Sequence, residues 1–200
     1  MKKQISVLLI VLSLFALCAC GSGQDAPAEG SVSLDRETYT AVITVKDYGD
    51  ITLELDASAA PITVANFVSL ARAGFYDGLT FHRIMDGFMI QGGDPEGTGS
   101  GGADKTIKGE FSQNGVDNPI SHVKGVISMA RAKDPDSASS QFFITVADAS
   151  FLDGAYAAFG HVTEGMEVAE QIAKDARPVD NNGTSPAAQQ PVIERIVIAD

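Results

Sequence analysis

The chain has 200 residues, 44% hydrophobic and 20% charged, with a formal net charge of −12. These are globular proportions, and the length sets one domain plus extras as the expectation, with enough chain to bury a core. The acidic balance argues against nucleic acid as a partner and against anionic lipid held by charge alone.

At the N-terminus, Lys2 and Lys3 precede an apolar run from Ile5 to Leu17. That run falls short of the ~20 residues a membrane-spanning helix needs, and it fits the apolar core of a signal peptide. It ends in Leu17-Cys18-Ala19-Cys20-Gly21, which resembles the lipobox of bacterial lipoproteins: leucine, a small residue, then the cysteine to be acylated. Residues 1–19 are then a lipoprotein signal peptide, Cys20 is the lipidated first residue, and 20–38 form a flexible tether rich in Gly, Pro and small polar residues. The expected location is the extracytoplasmic face of a bacterial cell membrane. Two plainer readings stay open: an ordinary secretory signal with a chance cysteine, or an uncleaved anchor. Both cysteines lie in this segment, so the domain over 39–200 has no disulfide and must be stabilised by packing. Their spacing offers no zinc site.

Ala41 to Lys46 is rich in β-branched residues, and Ile51, Leu53 and Leu55 alternate with polar residues after Tyr48-Gly49. The alternation predicts a hairpin. Pro61 opens a helical pattern with Val64, Phe67, Val68 and Ala71 on one face and Gly74 as its stop. Short apolar runs follow: LTFHRI, FMIQGG, GVISMA, QFFITV and AAFGHV. A second helix is predicted near Met166 to Lys174, Arg177 to Gln190 reads as a polar loop, and PVIERIVI reads as a last strand. Many short strands with two helices and no regular βαβ alternation predict an antiparallel sheet closed into a barrel.

Several familiar chemistries find no support. Gly97 to Gly102, GTGSGG, lacks the lysine of a phosphate-binding loop and precedes no helix, so it reads as a loop whose backbone can approach a ligand closely. His82, His122 and His161 show no metal-ligand spacing, and His82 and His161 read as structural histidines within strands. No GxSxG elbow marks a hydrolase. What remains is FHRIMDGFMIQGGD, with one arginine and one glutamine among large apolar residues, together with GVISMAR and SSQFFITVADASFLDG. Core packing is the default for each aromatic taken singly. Adjacent residues on a strand face opposite sides. Phe142 and Phe143 would therefore divide between core and pocket, and so would Phe88 and Met89.

FHRI, GFMIQGGD, GTGSGG, ISMAR and SQFFIT, in this order and spacing, resemble the cyclophilins, the cyclosporin-binding peptidyl-prolyl isomerases. The resemblance runs from about Tyr39 to Asp200. It implies a mainly β fold, an eight-stranded antiparallel closed barrel capped by two α-helices. It implies a prolyl isomerase that acts as a monomer without cofactor or metal on proline-containing peptides and unfolded exported proteins. Arg83 matches the family's catalytic arginine. Phe88, Met89, Phe143 and Leu152 match the walls of its proline pocket. Gln91 and Gln141 match residues that hold the substrate backbone, and Ala130 matches a small residue whose backbone helps bind the peptide. Phe151 stands in place of a tryptophan that hydrogen-bonds cyclosporin, Tyr156 in place of a rim histidine, Arg131 in place of an asparagine whose backbone contacts substrate, and Asp86 in place of a common proline. Weak cyclosporin binding is expected, because phenylalanine lacks the indole N–H.

The residue types suit the chemistry. The barrier to peptide rotation is about 18–20 kcal/mol. In the twisted state the nitrogen lone pair is localised, so a permanently charged donor aimed at it stabilises that state selectively. A rival reading is a peptide-binding or holdase chaperone on the same fold with little catalysis.

Overall fold

The computed structural model describes residues 34–199; the signal peptide, Cys20 and most of the expected tether lie outside them. The tether's described end is bound to the domain: Tyr39 Oη donates to Asp35 Oδ1, and Ala57 N donates to Glu37 O.

β1 (Thr38–Val45) and β2 (Gly49–Asp56) form the expected hairpin, in which the apolar residues Ile43, Ile51, Leu53 and Leu55 are fully buried. α1 (Pro61–Arg72) starts at the predicted proline and buries Val64, Phe67, Val68 and Ala71. Next come β3 (Thr80–Met85), β4 (Met89–Asp94), β5 (Val126–Met129), β6 (Phe142–Thr145) and β7 (Ala158–Glu164). α2 (Met166–Asp175) and β8 (Ile193–Ala199) complete the domain. All ladders are antiparallel, in the order β3-β4-β6-β5-β7-β2-β1-β8. Where β7 crosses β2, Gly160 presses on the Glu54 carbonyl so closely that a Cβ would collide with it.

The core sits inside the curled sheet. Phe67 from α1 packs edge-on to Phe142 at 5.5 Å and meets Phe159 at 5.3 Å and Tyr76 at 5.2 Å. Buried Tyr76 keeps its hydroxyl satisfied by donating to Ser140 O.

The expected closed barrel is not fully closed. The edge strands β3 and β8 share no ladder. Near the start of β3 they are joined by the Thr80–Val192 bridge and by Gly78 N to Ile193 O, Ile193 N to Leu79 O and Phe81 N to Pro191 O. Further along, β3 is covered by the Arg177–Gln190 segment: Ile84 N donates to Gly183 O and Ser185 N to His82 O. The segment read as a polar loop therefore serves as the missing neighbour of an edge strand. His161, read as structural, is exposed on β7.

α1 has no cap from its own N-terminal residues. Its first turn is met from 48 positions away by buried Glu110, whose Oε1 accepts from Ile62 N and whose Oε2 accepts from Thr63 N and Thr63 Oγ1. A carboxylate there satisfies free amides and complements the helix dipole. Glu110→Ala should cost about 2–4 kcal/mol in chemical denaturation, since buried donors lose a charged acceptor. A loss below about 0.5 kcal/mol, the size of an ordinary surface change, would show that the cap is dispensable.

Candidate active site

A cavity of about 420 Å³ opens on the outer face of the β3–β4–β6–β5 part of the sheet. Arg83, Phe88, Met89, Gln91, Ala130, Arg131, Phe143, Leu152 and Tyr156 line it, all of them named from the sequence. Gln141 and Phe151 stand behind or beside it. Its lining contains two guanidinium groups and no carboxylate, so this is a cationic recess on an acidic protein.

Strand alternation explains part of the wall. On β6, Phe142 enters the core and Phe143 faces the cavity, as expected. Phe88 and Met89 do not divide in this way; both line the cavity. Phe88 lies in the Asp86–Gly87–Phe88 turn, where Gly87 has φ +74°, and β4 begins only at Met89, so period two does not apply between them.

Arg83 is half-buried and fixed at two nitrogens. Its Nε donates to Asn182 O at 2.8 Å and its Nη1 to Gln91 Oε1 at 3.1 Å. Gln91 Nε2 in turn donates to Gln141 Oε1, and Gln141 Nε2 donates to the carbonyls of Gly99 and Gly101. Two carbonyls at the far end demand the NH2 group of Gln141, so its oxygen faces Gln91, and the oxygen of Gln91 faces Arg83. The glycine-rich loop thereby orients the guanidinium through two amides. The loop is itself gathered on Asp94, whose carboxylate accepts from Glu96 N, Thr98 N and Gly99 N. Burial works against ionisation of Asp94, yet these backbone donors hold its carboxyl below the usual range. Among the described residues the other nitrogen, Nη2, donates only to Met85 Sδ at 3.4 Å, a weak acceptor. Burial, first among its influences, lowers the pKa of Arg83 from its ordinary value.

Behind the pocket, His122 stacks on Phe143 with ring centroids 6.1 Å apart and planes 16° from parallel. Its Nδ1 lies 2.8 Å from Asp153 Oδ1 and its Nε2 3.0 Å from Ser128 Oγ. Asp153 follows the pocket residue Leu152 and also accepts from His122 N and Ser121 Oγ. Burial raises its pKa, but these hydrogen bonds outweigh burial and hold it below the usual range. Phe151 is 73% exposed and packs on Phe88 at 5.5 Å, extending the apolar rim outside the cavity.

Asn182 and Thr184, not anticipated from the sequence, also line the cavity, as do His82, read as structural, and Thr98 and Ser100 of the glycine-rich loop. The positive φ of Gly183 and its tight approach to Ile84 O mark where the 177–190 segment must hug β3, and this sets the Asn182 carbonyl against Arg83. The Asn182-Gly183 pair was the available signal for such a turn. His82 is buried as a structural histidine should be, at 3% exposure, yet among the described residues neither ring nitrogen finds a hydrogen-bond partner.

Burial lowers the pKa of His82 below 6.5. The unfolded chain therefore takes up this proton first as the pH falls. Stability is lost from about pH 6.5 downward, with a slope for this one group of at most about 1.4 kcal/mol per pH unit. Asp94 and Asp153, with lowered pKa, lose their contributions only below 3.8. Denaturation curves at pH 7, 6 and 5 should show wild type weakening more than His82→Gln. Parallel losses would exclude a depressed His82.

Comparison with known proteins agrees with this geometry. Residues 40–198 match the family model described as cyclophilin type peptidyl-prolyl cis-trans isomerase/CLD. The chain is 40% identical over 178 residues to peptidyl-prolyl cis-trans isomerase A of Dickeya dadantii, covering 86% of this chain and 85% of that protein. It is 47% identical over 134 residues to peptidyl-prolyl cis-trans isomerase B of Bacillus subtilis, covering 67% and 90%. A crystal structure of a Cryptosporidium parvum cyclophilin type isomerase, determined in the presence of the dipeptide Ala-Pro, superposes with a TM-score of 0.70 at 32% identity, covering 80% of this chain and 99% of that one. A sheet curled around a phenylalanine core, a cation held over an apolar recess and these likenesses converge: the chain belongs to the cyclophilin-type peptidyl-prolyl cis-trans isomerases.

Proposed function

We propose that Arg83 lowers the rotational barrier of an X–Pro bond whose proline ring is gripped by Phe88, Met89, Phe143 and Leu152. The observation that carries this reading is the pinned guanidinium: Nε and Nη1 have strong acceptors, while among the described residues Nη2 donates only to sulfur. As the amide twists, the proline nitrogen becomes pyramidal and localises its lone pair. A fixed cationic donor beside the cavity favours that state over the planar one, which accelerates the reaction. Cis and trans X–Pro differ by only about 0.5–1 kcal/mol, so the benefit is in rate. No covalent step is required of the protein.

Proline-containing peptides are the ligand class, a reading supported by the Ala-Pro used with the Cryptosporidium relative. Gln91, Gln141 and the Ala130 backbone are assigned to the substrate main chain, and Phe151 and Tyr156 to the rim. Cyclosporin binds weakly, because Phe151 offers area but no indole donor. A holdase would need the recess without an oriented cation, and the relay to Arg83 favours the enzyme. The natural clients are exported proteins whose prolyl steps take roughly 10–100 s uncatalysed. The protein acts as a monomer, tethered through acylated Cys20 to the outer side of a bacterial membrane; the lipobox Leu17–Gly21 supports this.

Arg83→Ala should remain folded by circular dichroism and lose about a hundredfold or more of kcat/KM on an X–Pro peptide. An unchanged rate would remove Arg83 from the mechanism, and a wild-type protein that binds such peptides without turnover would favour the holdase. Mass spectrometry of the mature chain should find diacylglycerol on Cys20 as residue one, and Cys20→Ser should move the protein into the soluble fraction. A mature N-terminus elsewhere would overturn the anchor.

A further inference from the structure

We propose that Arg131 is a positioning residue that sets the width of the proline pocket by holding Tyr156, rather than a group that contacts substrate. This rests on the isomerase reading above. The Arg131 guanidinium lies between two rings, with its carbon 5.0 Å from the centroid of Phe111 and 4.8 Å from that of Tyr156. Phe111 is an immobile anchor. It is buried, follows the helix-capping Glu110, and packs on Gly109 so tightly that a Cβ there would collide with its ring. Tyr156 stands at the cavity edge, where its ring meets Arg131 on one side and Phe143 on the other.

Every nitrogen of the Arg131 guanidinium donates to a main-chain carbonyl of the protein itself. Nε and Nη2 both donate to Ala155 O, at 2.9 and 2.8 Å, and Nη1 donates to Ala132 O at 2.9 Å. The fork thus holds the residue directly before Tyr156 while its flat face supports the Tyr156 ring. Tyr156 then stands edge-on to Phe143, centroids 5.9 Å apart at 86°. Phe143 is fixed from behind by the His122 stack. Four groups in series, Phe111, Arg131, Tyr156 and Phe143, define one side of the recess. Lysine cannot reproduce this, because an ammonium neither stacks flat nor reaches one carbonyl through two parallel donors.

The chain has four tyrosines and no tryptophan, so 3-fluorotyrosine labelling gives a sparse spectrum in which Tyr156→Phe identifies the relevant signal. Arg131→Ala should raise KM about fivefold or more with kcat within about twofold, the mark of lost uniform binding. Tyr156→Ala should do the same, and the double variant should be no worse than either single one. Arg131→Lys should resemble Arg131→Ala, and in both the Tyr156 fluorine signal should move and broaden. The proposal is overturned if Arg131→Ala keeps the wild-type KM, if the two single effects multiply in the double variant, or if Arg131→Lys matches wild type. It is equally overturned if Arg131→Ala lowers only the melting temperature while KM and the fluorine signal stay put, which is the behaviour of a plain loop clamp. Should Arg131→Ala fail to fold, Arg131→Lys carries the same readouts. A wild-type protein without turnover would end the isomerase reading on its own account, and an unmoved fluorine signal would then overturn the Arg131–Tyr156 contact separately.

Discussion

The site depends on one constraint: a guanidinium at the end of a flexible side chain must point the same way each time a substrate arrives. Arg83 meets it by being held at Nε by a main-chain carbonyl and at Nη1 by a two-glutamine relay. Neither support is local in sequence. Asn182 comes from the segment before β8, and the relay begins at glycine carbonyls beyond β4. A donor oriented in advance need not reorganise as charge localises on the substrate nitrogen, which is where electrostatic stabilisation is most effective.

The apolar half of the site follows from the sheet. The two faces of β6 are used for different purposes by successive phenylalanines, Phe142 packing the core and Phe143 lining the recess. Both are braced by aromatic neighbours, Phe142 by Phe67, Tyr76 and Phe81 and Phe143 by His122 and Tyr156. The recess carries two guanidinium groups and no carboxylate in its lining, within a chain of net charge −12.

Periodicity finds the hairpin and α1, because each buries one face and its apolar residues repeat accordingly; the short strands are legible as apolar runs between turn residues, and α2 through Glu167 near its start and Lys174 near its end. It stopped at an antiparallel sheet; the particular fold and the site residues were legible only through the resemblance of several blocks at once. The closure of the sheet was read too completely, because alternation says which face a strand buries and nothing about whether the two edge strands meet. Phe88 and Met89 were split wrongly, since a turn with a left-handed glycine interrupts the alternation. Thr184 and the Glu110 cap leave no trace in the sequence, because each acts across a long stretch of chain through a backbone group or a single carboxylate; the Asn182-Gly183 pair marks a turn but not the strand it packs on. His122 was visible as a residue but not as a brace, because stacking on Phe143 is a tertiary fact.

The incomplete seam between β3 and β8 carries a consequence of its own. Sheets open first where ladders are thinnest, and here the thin place is flanked by the strand bearing Arg83 and the segment bearing Asn182. A transient parting of that edge would release the carbonyl that steadies the Arg83 side chain while leaving the phenylalanine interior intact. Loss of catalytic competence would then precede global melting on warming, and the enzyme would fall silent while still folded.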